Sequence, residues 1–158
     1  MFIRSLYPTL PLNNTEEAVK FYISQLENSA LKDKNLYHKA LSAIILHRNG
    51  NEKTAQAIVQ SLREHATHKP GLGMFWANNR MNCFMSQSAV SVHTFILNAL
   101  QETGSTTAEI DEMKFWLLNQ KRTQLWESVP ATVNAIQALL TSGSDWLETS
   151  GNLKKIRN

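Results

Sequence analysis

The chain is poor in the features that mark disulfide scaffolds, membrane spans and polyanion-binding tails. Its 158 residues include one cysteine, Cys83, which excludes an internal disulfide. No stretch approaches the roughly 18 apolar residues of a membrane-spanning helix, and two prolines interrupt the opening "MFIRSLYPTLPLNN", so it lacks a signal-peptide run. The net charge is +3, with Lys and Arg scattered among Asp and Glu. We therefore expect a soluble chain that contacts neither membrane nor nucleic acid.

Apolar residues recur at helical spacing along most of the chain. Val19, Tyr22, Ile23 and Leu26, for example, occupy positions i, i+3, i+4 and i+7, which share one helical face. With 42% apolar and 18% charged residues, the composition is that of an ordinary globular domain. The pattern predicts an all-α fold without strands, with six helices at about 14–28, 34–48, 52–66, 87–102, 107–120 and 129–142.

Short signals mark where several of these helices begin. Asn14 with Glu17, and Thr106 with Glu109, have the separation of a capping box, in which side chain and backbone bond reciprocally at a helix N-terminus. Pro130 falls in a first helical turn, where the missing N–H leaves no hydrogen bond unmade. These positions predict the starts of the first, fifth and sixth helices.

The helices alternate in how much of their circumference is apolar. The first, third and fifth have one apolar stripe with charged residues opposite, which is typical of outer helices, whereas the second, fourth and sixth are apolar on most faces. Three such outer–inner hairpins predict a stacked α/α array, an arc that forms part of a larger toroid. Each inner helix ends with a leucine four residues before a glycine, where a left-handed C-cap is usual: Leu46-x-x-x-Gly50, Leu100-x-x-x-Gly104 and Leu139-x-x-x-Gly143.

The segment "NQKRTQLW" joins the fifth and sixth helices and combines basic residues with an aromatic. Nucleic-acid binding would require a larger basic field and further aromatics on the same face. We interpret the segment instead as a loop clamp. Gln120 bridges the unpaired carbonyls of one helix to the backbone of the next, and the indole of Trp126 covers the loop while its N–H keeps a partner.

Two irregular connections that carry tryptophan precede inner helices. One contains Trp126, and the other, "KPGLGMFWANNRMNCF", contains Trp76. Together with His93 on an inner helix, these residues form a candidate binding surface, although packing on the array is the more common role of such side chains. The sequence Gly71-Leu-Gly73 lacks the preceding strand and the remaining glycines of a phosphate-binding loop, so it predicts no phosphate site.

The histidines do not complete a metal site. His65 and His68 lie near a helix end, where cations are favoured, and no third ligand is evident. His38 and His47 have no evident partners, and His93 is typical of a hydrogen-bonded core histidine. We therefore predict that the chain holds no metal.

Neither the cysteine nor the acidic cluster indicates a catalytic site. Cys83 is a candidate nucleophile with His93 as its base, but "RMNCFMSQS" matches no cysteine-enzyme signature, and a lone cysteine is usually a small buried hydrophobe. Glu109, Asp111 and Glu112 lie at the start of the fifth helix, where the helix dipole favours negative charge. We predict no catalytic residue and no cofactor.

Three segments together resemble a known family. They are "KTAQAIVQSLREHATHKPGLGMFW", "SAVSVHTFILNAL" and, most specifically, "EIDEMKFWLLNQKRTQLWESVPATVNAIQALL". From Leu6 to Leu147 the chain resembles the later half of the helical toroid domain of bacterial alpha-2-macroglobulin-like proteins, especially those of the Bacteroidetes type. Similar toroids occur in complement thioester domains, terpenoid cyclases and protein prenyltransferases, and the spacing from Gln120 to Trp126 is similar to the glutamine–tryptophan repeats of the cyclases.

The resemblance implies a part of a protease trap. In this family a protease cuts a bait region, the molecule rearranges, and in many members a Cys-x-Glu-Gln thioester in the toroid captures the protease. Cys83 is followed by Phe84, Met85 and Ser86, so it does not match that signature. Either the motif lies upstream of this chain, or the parent is a member without a thioester, which would trap sterically or act in another way. The resemblance therefore implies a non-catalytic segment of a broad-spectrum endopeptidase inhibitor of the periplasm, cell envelope or extracellular space. Its partners would be proteases and the neighbouring domains of the parent protein.

Two other functions stay open. One is an enzyme of the cyclase or prenyltransferase kind, which needs acidic residues or metal ligands in the central cavity, where the inner helices here offer Ser, Thr, Asn and Gln. The other is a module that binds peptides or glycans through Trp76 and Trp126. In the inhibitor interpretation, residues 1–143 are a partial toroid domain and residues 144–158 are a linker. The open ends of such an arc favour a homodimer of the fragment.

Overall fold

The computed structural model describes residues 15–79, 88–123, 126 and 128–142, and this part of the chain is mostly helical. The predicted all-α fold and the positions of its helices are confirmed to within a few residues, and none of the described helices is long and apolar enough to cross a lipid bilayer. The helices are α1 (Glu16–Ser29), continued by a 3-10 turn at Ala30–Lys32, α2 (Leu36–Arg48), α3 (Glu52–Glu64), α4 (Ala89–Glu102), α5 (Thr107–Thr123) and α6 (Val129–Thr141).

The helices pack in two layers, as their apolar patterns predict. The inner layer places α4 between α2 and α6, while α3 packs against α2 and α5 against α4. The core lies between the layers and includes Ile44, Ile58, Leu97 and Leu117, each at most 1% exposed. Helix α1 has no buried residue and contributes only part of its predicted stripe, because Tyr22 is 58% exposed whereas Ile23 and Leu26 pack against the core.

Helix α6 is buried on one side only. The face that meets the rest of the array is made of three alanines, Ala131, Ala135 and Ala138, all fully buried. Small side chains at this spacing let two helices approach closely. The opposite face is an exposed apolar stripe, which we call the α6 stripe; it consists of Val129, Val133, Ile136 and Leu140, each 46–77% exposed.

The recurring leucine–glycine spacing marks helices that end in the same way. At the end of α2 the N–H of Asn51 donates to the carbonyl of Leu46 at 2.9 Å, and the N–H of Gly50 donates to His47 at 3.0 Å. These two bonds define a Schellman motif, which needs a left-handed residue at the glycine position, and Gly50 has a φ of 82°. The same motif ends α4 at Leu100 and Gly104, whereas Gly143 lies outside the described residues.

The helix starts also follow their sequence signals where they can be seen. Thr106 and Glu109 form the predicted capping box, in which each backbone N–H donates to the side chain of the other at 3.3 Å. Pro130 lies in the first turn of α6, whose N-cap Ser128 accepts the N–H of Ala131. The predicted cap Asn14 lies outside the described residues.

A short hairpin corrects the prediction that the chain has no strands. β1 (Thr67–Lys69) pairs antiparallel with β2 (Gly73–Phe75), with Thr67 opposite Phe75. The hairpin packs against α5, and the closest approach is at Gly73, where a Cβ would overlap the carbonyl oxygen of Glu112. Strands of three residues are too short to show an alternating pattern, so sequence periodicity does not predict them.

Candidate functional site

The inner layer of helices forms a polar groove on the side away from the outer helices. This inner groove has a volume of about 510 Å³ and runs across α2, α4 and α6. A volume of this size is within the range of small-molecule and peptide sites. Its lining residues are mostly uncharged and polar: Ile44, Arg48, Thr94, Phe95, Asn98, Gln101, Glu102, Asn134, Gln137 and Thr141.

Two neighbouring helices present the same four-residue pattern to the groove. Asn98-Ala-Leu-Gln101 lies on α4 and Asn134-Ala-Ile-Gln137 lies on α6. In each, the alanine is fully buried, while the asparagine and glutamine line the groove. Residues three apart share a helical face, so each helix contributes a pair of carboxamides. Amides on the inner helices were expected, but the repeat itself is visible only when "NALQ" is compared with "NAIQ".

The charges that border the groove neutralise each other. Arg48 and Glu102 are the charged residues of its lining, and they form a two-point ion pair from α2 to α4. Nε of Arg48 is 2.8 Å from Oε2 of Glu102, and Nη2 is 2.5 Å from Oε1. Both side chains are a little over one quarter exposed, so water screens the pair. The groove is therefore neutral overall, and its polarity comes from amides and hydroxyls.

Only part of the hydrogen-bonding capacity of the groove is used by the chain itself. Nε2 of Gln101 donates to the carbonyl of Thr141 at 3.1 Å, which joins α4 to the end of α6. The hydroxyl of Thr94 donates to the carbonyl of Ser91 within its own helix. In contrast, the carboxamides of Asn98, Asn134 and Gln137 make no hydrogen bond within the described residues. These three groups remain available to a ligand.

His93, which the sequence singled out, lies in the core rather than in the groove. It is fully buried and stacks on Trp116, with ring centroids 4.2 Å apart. Because a carbonyl can only accept, Nε2–H donates to the carbonyl of Met113 at 3.1 Å, and Nδ1 has no partner among the described residues. Burial lowers the pKa of His93 from 6.5 to about 3, against the smaller raising effect of the Met113 bond. The imidazole is therefore neutral at pH 7 and is a weak base.

Two members of the candidate binding surface are enclosed. Trp76 is 4% exposed, meets the ring of His93 edge-on at 5.7 Å, and donates its indole N–H to the carbonyl of Leu62 at 2.9 Å. Trp126 is partly buried and packs against the core. An enclosed ring cannot stack on a ligand that lies on the surface, so Trp76 and His93 are core residues in this conformation. A binding role for the three residues stays a prediction.

The predicted clamp between Gln120 and Trp126 differs from the structure in two ways. α5 continues to Thr123, so Gln120 lies within the helix, and its side chain makes no hydrogen bond to the described residues. The indole N–H of Trp126 is buried and finds no partner in the described part of the chain. The contacts present are Lys121 Nζ, 5.3 Å from the Trp126 ring centre, and Asn119, which donates to the carbonyl of Gly71 at 3.2 Å.

Several histidines have partners that the sequence did not reveal. His38 and His47, for which no partner was evident, lie 3.0 Å from Asp33 and Glu52 respectively. His68 is 2.8 Å from Glu112, which joins the hairpin to α5. Within residues 15–79, 88–123, 126 and 128–142, no group of three His, Cys, Asp or Glu side chains is arranged to hold a metal. Cys83 lies outside these residues.

The acidic cluster at the start of α5 is divided among separate partners. Glu109 binds Arg63 of α3, with Nε 2.8 Å from Oε1, and Asp111 is 3.1 Å from Lys114. Partial burial raises the pKa of Glu109, but the hydrogen bonds and charge of Arg63, with the Thr106 bonds, outweigh it, and the net pKa lies below its ordinary value. The cluster stabilises the packing of α5 on its neighbours.

A protein-family model matches most of the chain. The family model described as "A-macroglobulin TED domain" matches residues 4–141 of the 158. No curated protein and no solved structure matches the chain significantly. The matched range contains all six described helices and every residue that lines the inner groove.

Proposed function

Because the chain belongs to the A-macroglobulin TED domain family, we propose that it is a non-catalytic helical segment of an alpha-2-macroglobulin-like protein that inhibits endopeptidases. The observation that carries this proposal is the family match across nearly the whole chain. The paired helices support it, since an array whose last inner helix exposes an apolar stripe is suited to packing against further parts of a larger protein.

This chain's own contribution to trapping is proposed to be steric, whether or not a thioester lies elsewhere in the parent protein. Its single cysteine is followed by Phe-Met-Ser, which departs from the Cys-x-Glu-Gln signature of the thioester. The inner groove offers carboxamides and a neutralised ion pair, and these do not supply the acids that a cation-generating cyclase reaction needs. In this proposal the parent encloses a protease after bait cleavage, and this segment contributes to the wall of the enclosure.

A protease assay tests the proposal on the protein that contains this chain, expressed at its natural length. After incubation with a molar excess of that protein, trypsin is expected to lose most of its activity on casein while it still cleaves a small chromogenic substrate, because only the small substrate reaches an enclosed active site. Equal loss on both substrates indicates an active-site inhibitor, and no loss on either indicates no trap. Both results contradict the proposal.

The absence of a thioester is tested separately on the 158-residue chain. We expect one titratable thiol per unfolded chain, from Cys83, both before and after methylamine treatment, because methylamine releases a thiol only from a thioester. The Cys83→Ser variant gives the zero value. A thiol that appears only after methylamine would show that Cys83 is held in a thioester.

The localisation and boundaries follow from the same proposal. We place the parent protein outside the cytoplasm, in the periplasm, cell envelope or extracellular space, where an endopeptidase inhibitor meets its targets. The toroid part of the chain is assigned to residues 1–143 and the linker to residues 144–158. Expression of the parent with an accessible epitope tag, followed by cell fractionation, tests the location.

The α6 stripe is proposed to mediate self-association when the chain is isolated. Four apolar side chains on one helical face lose contact with water when two copies pack, and such burial contributes roughly 25 cal/mol per Å². Sedimentation equilibrium should show a dimer that dissociates at least about ten-fold more readily in the double variant Val133→Glu/Ile136→Lys. Leu31→Glu/Phe115→Lys, at exposed apolar positions off the stripe, is the matched control, and equal weakening by both pairs would contradict the assignment.

A further inference from the structure

We propose that the inner groove is a binding site for an uncharged polypeptide segment in an extended conformation, held mainly through hydrogen bonds to the backbone of that segment. The carboxamides of Asn98, Gln101, Asn134 and Gln137 provide those bonds. The inference does not depend on the inhibitor proposal, because it rests on the chemistry and spacing of these side chains alone.

The carboxamide group has the same kinds of hydrogen-bonding group as a peptide unit, an N–H donor and a C=O acceptor. Each Asn or Gln presents one carbonyl oxygen and one NH₂, so it can accept from a backbone N–H and donate to a backbone C=O at once. The side chains of Asn98, Asn134 and Gln137 have no hydrogen bond within the described residues, so these three can bind a peptide without losing an internal bond. Gln101, whose Nε2 donates to the carbonyl of Thr141, still offers its carbonyl oxygen as an acceptor. The buried alanines beneath them fix the helix faces on which these groups stand.

The spacing of the carboxamides fits an extended chain that crosses the helices. Within each helix, Asn and Gln are three residues apart, which is about 4.5 Å along the axis. Packed helices lie about 8–10 Å apart, and an extended chain advances about 3.4 Å per residue. A peptide that crosses from α4 to α6 therefore meets a new carboxamide pair about every three residues, and the same Asn-Ala-x-Gln pattern repeats the contact.

The charge of the groove selects against ionic ligands. Arg48 and Glu102 are already paired with each other, so a charged ligand would have to compete with that pair or lie unpaired among amides. Sugars are also less well matched, because saccharide sites commonly stack a ring on an exposed aromatic face. The aromatic ring among the lining residues, Phe95, packs against Tyr37 at 5.1 Å. A neutral peptide backbone is the ligand that this set of groups fits best.

Titration of the isotope-labelled chain by NMR tests the site. The probe is the capped peptide acetyl-Thr-Ala-Thr-Ala-Thr-Ala-amide, and we expect saturable shifts of the side-chain NH₂ signals of Asn98, Asn134 and Gln137. The same peptide with alternate backbone nitrogens methylated lacks half of the donors and should bind at least about ten-fold more weakly, since each lost hydrogen bond costs several-fold in affinity.

Paired variants separate a groove effect from a general effect on the chain. Asn134→Ala/Gln137→Ala should weaken peptide binding at least about ten-fold, whereas Gln56→Ala/Gln60→Ala, which removes two exposed carboxamides from α3, should leave it unchanged. Both doubles retain a helix-compatible residue, and circular dichroism checks that they fold. No shifts at millimolar peptide, equal loss in both doubles, or saturable shifts with maltohexaose but not with the peptide would each overturn the proposal.

Discussion

Replacing Gly73 with alanine is expected to lower the free energy of unfolding by about 2–5 kcal/mol. Two costs add at this position. The backbone φ is 81°, a left-handed conformation that costs an L-residue about 1–2 kcal/mol. The new Cβ would also overlap the carbonyl oxygen of Glu112 in α5. Because this oxygen belongs to the backbone of a packed helix, relieving the overlap is expected to cost the about 1–3 kcal/mol typical of overpacking.

Gly71 offers a matched control for this prediction. It belongs to the same hairpin and has nearly the same φ, 79°, but nothing lies within 4 Å of the position that its Cβ would take. Gly71→Ala should therefore cost only the left-handed strain, about 1–2 kcal/mol. Urea denaturation of the two variants measures the difference, and equal destabilisation would show that the hairpin does not press on α5.

Stability should fall by about 2 kcal/mol between pH 7 and pH 5 because of His93. The pKa of His93 is 6.5 in the unfolded chain and about 3 in the folded one. Between these values the unfolded state binds a proton that the folded state does not, so the free energy of unfolding rises with pH. The contribution of His93 is present above pH 6.5 and is lost progressively as the pH falls from 6.5 towards 3. The full slope is about 1.4 kcal/mol per pH unit.

The variant His93→Phe isolates this effect. Phenylalanine keeps an aromatic ring between Trp76 and Trp116 but carries no titratable group, so the fall in stability from pH 7 to pH 5 should largely disappear, whatever the variant costs at pH 7. The measurements stay at pH 5 and above, so that Glu109 does not contribute to the slope. Because the pKa of Glu109 is lowered in the folded chain, its contribution to stability is lost only below about pH 4.5. An unchanged slope in His93→Phe would show that the pKa of His93 is the same in the folded and the unfolded chain.

The parts of the fold that depend on local chemistry were predictable from the sequence. Helical periodicity located all six described helices, and the leucine–glycine spacing marked two Schellman motifs, because both are set by residues close in the chain. The capping box at Thr106 was predictable for the same reason. The layer order also followed, since the breadth of the apolar face decides how many neighbours a helix covers.

The parts of the fold that depend on contacts between distant residues were not predictable from the sequence. The pairing of His68 with Glu112 arises from the packing of the hairpin on α5, which no local pattern records. Gly73 appeared only as an incomplete phosphate loop, although its function is to admit the backbone of α5. The groove could be predicted in part, because its carboxamides follow a repeat in the sequence. The neutrality of the groove could not, because it depends on the ion pair between Arg48 and Glu102, which lie far apart in the chain.

Helix α6 forms one wall of the groove, and because it buries only alanines we expect it to be held less firmly than α2 and α4. A helix that buries methyl groups gains far less from packing than α2 or α4, which bury leucine and isoleucine, so its free energy of local opening is expected to be the lowest of the inner three. Hydrogen bonds from Gln101 and Lys114 hold its C-terminal end to the array. A ligand that bridges α4 and α6 would add its own binding free energy to that attachment, so occupancy of the groove and docking of α6 are thermodynamically linked.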